Sequence, residues 1–383
     1  MGVYLDYNAT TPVDYRVLDK MTDVYKNHIG NPDSRTHDYG EEAKLLVEIA
    51  RKQVASLLNI RKDEVFFTSG ATESNNIAIL GLRDYAIQSK RKHIITTSIE
   101  HKAILGATKR LREEGFEIEY INPDSSGRIN SSHLLTKVRP DTLLVSVMHV
   151  NNETGIIQPV NEIGKRLNEL GVLFHIDATQ SCGKMVEEIK VLTYDMMSIS
   201  GHKMHGPQGI GALILRKKKY RLPPVKPIMY GGNQEHGIRP GTLPTALIVG
   251  FGEACRIASL EYQANHDKCC KIQDVLLQAL SASGIKYEIN GDRKYRNDNT
   301  LNISFLGISS EALMLATKQY CSVSNGSACS SSNYSYSHVL AAMDLPLNRI
   351  ESAIRISWGP EVDLDLVTND FNKLIMTVKN IVS

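Results

Sequence analysis

The chain is poor in the features that mark specialised classes of protein. Its basic and acidic residues nearly cancel, leaving a formal charge of +2 over 383 residues. Such a surface exerts no general pull on nucleic acid or anionic lipid, so neither a direct nucleic-acid partner nor a membrane partner is expected. Six cysteines, at 182, 255, 269, 270, 321 and 329, form no CxxC pair and no zinc spacing. The expectation is no metal site and a reducing, cytoplasmic setting in which one thiol is chemically special. Apolar runs such as the one around Leu143 to Val150 fall well short of a membrane span. The opening MGVYLDYNATTPVD has an acid at position 6 and no apolar stretch, unlike a secretory leader or a myristoylation signal. Internal repeats, low-complexity tracts and long charge blocks are missing too.

What is present is ordinary for an enzyme. Hydrophobic residues make up 42% and charged residues 22%, and the length suits two lobes rather than one small core. The middle of the chain alternates short β-rich runs with amphipathic stretches: EVFFTSG before ATESNNIAILGLRDYAIQ, KHIITTSIEH before KAILGATKRLREEG, TLLVSVMHV before VNEIGKRLNELG. Repeated strand–helix units imply a mostly parallel sheet with helices on both faces, and such sheets place ligands at the carboxyl ends of their strands. Those ends carry SGATE, IEH, NNETG, DATQ and SGHK. Near Leu260 the composition changes to a long polar helix, followed by short strands and helices. Residues 15–257 are therefore read as a large domain, and 1–14 with 258–383 as a smaller α+β domain.

Lys203, between a strand and a glycine-rich turn in SISGHKMHGPQGIGAL, has a suitable place to condense with an aldehyde cofactor. Alone it would read as a loop lysine. Asp177, ending the run VLFHID, is placed to pair with a protonated pyridine nitrogen, although an Asp there is also a common helix N-cap. Gln180 could bond a ring oxygen. Gly70, Ala71 and Thr72 form a strand-to-helix turn suited to phosphate, with Ser200 and His202 as further contacts. His101 could stack on the ring and move protons. Asn152 suits a cofactor oxygen or a substrate carboxylate, or serves simply as a turn residue. Cys329 lies in SNGSACSSSNYSYSHVL, a polar tether of the kind a travelling nucleophile needs.

Taken together, YLDYNATTP, GNPDSRTHDYG, FTSGATESNN, SIEHKA, MHVNNETGIIQPV, HIDATQS, SGHKMHGPQGIGAL, GGNQEHGIRPGTLP, SNGSACSSS and IRISWG resemble the cysteine desulfurase family, in the family's order and over nearly the whole chain. The resemblance implies a fold-type I pyridoxal-phosphate (PLP)-dependent transferase, an α/β protein with a mostly parallel, seven-stranded type of sheet between helices plus a small α+β domain. It implies conversion of L-cysteine to L-alanine, with sulfur taken onto Cys329 as a persulfide and passed to an acceptor protein, expected to be of iron–sulfur type. Lys203 then holds the cofactor aldehyde and Asp177 the pyridine nitrogen. Gln180 and Asn152 contact the ring oxygen, and His101 stacks on the ring. Ala71, Thr72, Ser200 and His202 surround the phosphate. Thr242, in RPGTLP, reaches the phosphate of a neighbouring subunit, which implies a homodimer with shared sites. Arg355, in IRISWG, binds the substrate carboxylate, a task that suits a planar guanidinium.

The spacing from Cys329 to SHVL is similar to the longer-loop branch. Pro240 stands where the family more often has serine, SSSN follows Cys329 where TSAS is commoner, and little chain follows IRISWG. SNGSAC, RPGTLP and the short tail look closest to desulfurases that start DNA phosphorothioation. Alternatives left open are sulfur supply for iron–sulfur cluster assembly or tRNA thiolation, and a selenocysteine lyase.

Overall fold

The computed structural model describes residues 2–325 and 336–382; Cys329 lies outside the described residues. After a short strand β1 (Val3–Tyr4), the alternating region supplies β2 (Val65–Thr68), β3 (His93–Thr97), β4 (Glu117–Ile121), β5 (Thr142–Met148), β6 (Leu173–Asp177), β7 (Met196–Ser200) and β8 (Gly211–Leu215). These last seven form one sheet in the order β2-β8-β7-β6-β5-β3-β4. The neighbours from β7 through β4 run parallel, whereas β8 is antiparallel to both β7 and β2. Every residue of β2, β3, β5, β7 and β8 is buried, so these strands read as continuous runs rather than alternating ones.

Successive side chains still face opposite ways. Phe67, Ile95, Val145 and Ile176 join a core covered by the helices Asp38–Leu58, Val160–Leu170 and the start of Thr245–Ser283. Phe66, Ile94 and Leu144 join a second core beneath the helices Ala71–Leu80, Arg83–Ser89 and Lys102–Glu113. With both faces covered, the carboxyl edge of the sheet is where functional side chains gather.

The rest of the chain builds β9 (Tyr287–Ile289), β10 (Thr300–Phe305), β11 (Cys321–Ser322) and β12 (Ala353–Ser357). β12, β10 and β9 make an antiparallel sheet, and β11 pairs in parallel with β1. Val3 and Leu5 thereby enter a core with Leu301, Ile303, Ile356, Trp358 and Phe371. The composition change near Leu260 does not start a new element. The helix Thr245–Ser283 runs through it unbroken, giving Ile248, Phe251, Cys255 and Ala258 to the sheet's core and Cys269, Ile272, Leu276 and Leu280 to the other. Polarity rises where the helix leaves one core for the next. Gly284, at φ 70°, ends it in the left-handed conformation that favours glycine. Among the described residues no helix is long and apolar enough to cross a membrane.

Candidate active site

The ends of β2, β3, β5, β6 and β7 and the N-terminal segment meet at one cleft. Asp177 closes β6 and is buried. Its carboxylate accepts from Asn75 Nδ2 at 2.8 Å and from the Thr179 backbone N–H at 3.0 Å, which fixes both oxygens. Gln180 is buried three residues on. Its Nε2 donates to the Asn8 carbonyl at 3.0 Å, and its Oε1 has no partner among the described residues. A buried amide oxygen left unpaired is costly unless a ligand or water meets it.

β7 ends at Ser200, and a single 3₁₀ turn, Gly201–Lys203, presents the lysine. Lys203 Nζ donates to the carbonyl oxygens of Asn8 at 2.5 Å and Ala9 at 2.7 Å. His202 Nδ1 lies 3.2 Å from Thr10 Oγ1. Burial, and then the Lys203 charge, push the His202 imidazole down to about 4, so it is neutral near pH 7. Gly70, at φ 147°, turns β2 into the helix Ala71–Leu80, whose first N–H groups have no helical partner. A Cβ built on Gly70 would stand 3.7 Å from Ser200 Oγ, so the Ser200 hydroxyl and this helix start face each other. Ala71 is half-buried and Thr72 exposed at that start.

His101 caps the helix Lys102–Glu113, its Nδ1 accepting from the Ala103 N–H at 3.2 Å. That bond leaves the ring proton on Nε2, and burial lowers the imidazole's pKa further. Beside it Glu100 is wholly buried. Its Oε1 accepts from Thr97 Oγ1 at 2.7 Å and from the Met148 N–H at 2.9 Å, tying the ends of β3 and β5 together. Burial raises this carboxyl to about 8.

Asn152 follows β5. Its carbonyl accepts from Asn8 Nδ2 at 3.2 Å and from Arg355 Nη1 at 3.0 Å. Arg355, buried on β12, also donates from Nη2 to Asp6 Oδ1 at 2.6 Å, while its Nε has no partner among the described residues. Through its backbone Arg355 pairs with Ser324. Nearby in sequence, the Ser337 hydroxyl donates to the buried Glu153 carboxylate, and His338 Nε2 meets the Glu100 carbonyl at 3.0 Å.

Lys203, Gln180, Asn152 and Arg355 are thus linked through Asn8 and Asn152, while Asp177, Ser200, His101 and His202 stand at or just beyond neighbouring strand ends. Thr242 is exposed, and among the described residues no hydrogen bond joins it to Thr72. Sequence reasoning assigned no role to Asp6, Asn8, Asn75 or Glu100. Asp6 and Asn8 stand in YLDYNATTP, a stretch rich in hydrogen-bonding side chains that only the fold brings back over Lys203. The residues present suit PLP: a fixed carboxylate, an unmet amide oxygen, a lysine and a helix start opposite a buried hydroxyl.

The comparisons with known proteins agree. The aminotransferase class-V family model matches residues 3–367. A cysteine desulfurase IscS of Shewanella oneidensis is 44% identical over 98% of this chain and 94% of its own length. The solved structure of a NifS-like protein matches with a TM-score of 0.91 and 36% identity, covering 99% of this chain and 100% of that one. DndA from Streptomyces lividans matches with a TM-score of 0.81 and 42% identity, over 93% of this chain and 99% of its own. The chain belongs to the cysteine desulfurases of the aminotransferase class-V family, which are PLP-dependent enzymes.

Proposed function

We propose that the chain converts L-cysteine to L-alanine, places the sulfur on Cys329 as a persulfide, and hands it to an acceptor protein. The reading is carried by one arrangement: the Lys203 amine donates to the Asn8 carbonyl and the Arg355 guanidinium to the Asn152 carbonyl, and Asn8 Nδ2, donating to that same Asn152 carbonyl, joins the two segments. A guanidinium and an amine so held suit an amino acid bound by its carboxylate with its Cα proton toward the lysine.

PLP, when bound, stores the electron pair left at the substrate Cα. Arg355 holds the substrate carboxylate and Lys203 removes the Cα proton. Asp177 would meet the ring nitrogen, and Asn75 and Thr179 keep its carboxylate from turning. Gln180 and Asn152 would meet the ring oxygen, His101 would lie against the ring, and Ala71, Thr72, Ser200 and His202 would hold the phosphate. The Cys329 thiolate attacks the substrate sulfur and the Cβ–S bond breaks with its electron pair left on carbon; one proton added at Cβ and the proton that Lys203 took returned to Cα complete alanine. Lys203→Ala should abolish alanine formation and the cofactor's visible band at its bound wavelength. Cys329→Ser should keep that band and form no protein persulfide. A Cys329→Ser protein that still forms persulfide at the wild-type rate contradicts the assignment.

Residues 15–257 form the cofactor lobe in this reading, and 1–14 with 258–383 the lobe that carries Cys329. The active unit is a homodimer in which Thr242 reaches the partner's phosphate. Large apolar side chains exposed on and between the helices Tyr15–Asn27 and Asp38–Leu58, among them Tyr15, Tyr25, Ile29, Tyr39 and Leu45, support a covered face there. For the acceptor, SNGSAC, RPGTLP and the likeness to DndA support an iron–sulfur protein serving DNA phosphorothioation. The 44% identity to IscS supports sulfur supply for iron–sulfur assembly as the second reading. Capture of a persulfide-accepting protein from the native host by the Cys329-intact enzyme, set against capture by Cys329→Ser, separates the two.

A further inference from the structure

The segment Gln234–Gly237 turns against the natural hand of the chain. Glu235, His236 and Gly237 follow one another at φ 47°, 54° and 78°. Glycine takes that left-handed conformation freely, whereas Glu235 and His236 are strained in it. Strain of this kind persists only where neighbours over-determine it. Here the buried Glu235 carboxylate accepts from Arg51 Nη1 at 2.8 Å, from Arg51 Nη2 at 2.7 Å and from the Phe67 N–H of β2 at 2.7 Å. The His236 ring stands edge-on to Phe66, with 5.9 Å between centroids. Two successive residues thus pin the turn to β2.

Two residues beyond the turn, Arg239 meets Glu73, its Nε donating to Oε1 at 2.9 Å. Glu73 Oε2 accepts in turn from the Ser69 N–H at 2.6 Å, so this acid closes the bend between β2 and the helix Ala71–Leu80. Burial raises the Glu73 carboxyl, but the bonds from Arg239 and Ser69 outweigh it and hold the pKa below its ordinary value, so Glu73 is charged. The Arg239 and Glu73 side chains are only 20% and 12% exposed, and water screens the pair little. A carboxylate in a first helical turn draws on the same positive helix end that attracts a phosphate. Unpaired, Glu73 would repel a phosphate bound there; paired with Arg239, its charge is cancelled.

We propose that Arg239 is a positioning residue for the cofactor. By neutralising Glu73, it lets that carboxylate hold the Ser69 bend without driving the phosphate away from the same helix start. The strained turn, locked to β2 through Glu235, sets Arg239 in place for this task. The inference rests on the placement of the phosphate at Ala71 and Thr72 and goes beyond it, because neither Arg239 nor Glu73 is asked to touch the cofactor.

The full-length enzyme is stripped of PLP and titrated with PLP and with pyridoxal, which lacks the phosphate, while the visible absorbance of the bound aldehyde is followed. The ratio of the two affinities isolates the phosphate, and pyridoxal binding shows that a variant has folded. Arg239→Gln should lower the preference for PLP about tenfold and leave pyridoxal affinity at the wild-type value. Glu73→Gln keeps an acceptor for Ser69 and should leave the preference at or above wild type. The double variant should recover most of the loss, and Arg239→Lys, which retains the charge, should keep most of the preference. The proposal falls if Arg239→Gln weakens both aldehydes alike, if it weakens neither, or if the double variant is as poor as Arg239→Gln, as direct contact with the phosphate would make it. Thr72→Ala tests the underlying placement and should lower the same preference. If Thr72→Ala lowers it and Arg239→Gln does not, the proposal alone fails; if neither does, the placement of the phosphate fails with it.

Discussion

Lys203 and Asp177 could be picked out before any coordinates because each ends an apolar run that can only be a buried strand, and a charged residue at such an end faces the sheet's ligand edge. Asp6 and Asn8 could not. Their partners, Arg355, Asn152 and Lys203, lie hundreds of positions or a whole domain away in sequence, and nothing in YLDYNATTP states which way its side chains return. Glu100 was hidden differently: next to His101 it reads as a solvated helix-start acid, yet the fold buries it completely. With its carboxyl raised to about 8 from an ordinary 4.5, the folded chain keeps the proton across that interval while the unfolded chain loses it. The contribution of Glu100 to stability is therefore whole below about pH 4.5 and is lost as pH rises toward 8, by at most roughly 1.4 kcal/mol per pH unit. Glu100→Gln retains an acceptor for Thr97 and Met148 and cannot ionise. Urea unfolding at pH values on either side of neutrality should show the variant gaining on the wild type as pH rises; parallel pH profiles would contradict this.

Among the elements, the seven-stranded sheet and its covering helices follow from runs of the right length and period, and they formed where expected. The helix Thr245–Ser283 was read short because a helix that serves two cores changes its buried face, and a change of composition looks like a boundary. Its first half depends on close approach. A Cβ on Gly252 would stand 2.6 Å from Ala50 Cα and 2.7 Å from Ala50 Cβ, so helix Asp38–Leu58 would have to shift. Backbone atoms cannot swing aside as a side chain can. Gly252→Ala should cost about 1–3 kcal/mol in urea unfolding even though alanine favours helices over glycine. A variant as stable as the wild type would show that the two helices separate easily.

For the whole molecule, the way the N-terminal strand joins the later strand β11 depends on a pairing, Val3 with Cys321, that no local signal announces. Cys329 and its neighbours lie outside the described residues, so the polar tether expected there has no structural counterpart to set beside it. Shared sites make a sharp expectation at this scale. If Thr242 serves the partner's phosphate, mixing Lys203→Ala chains with Thr242→Ala chains rebuilds one complete site per mixed dimer. Co-refolded mixtures should then exceed the summed activity of the separate variants, and simple addition would place Thr242 in its own chain's site.

The helix Thr245–Ser283 also acts as a strut. Its 39 residues span about 58 Å at 1.5 Å per residue, with one half set in each core and no proline between to make a joint. Swinging one lobe against the other would mean bending that rod along its length, since it offers no proline hinge.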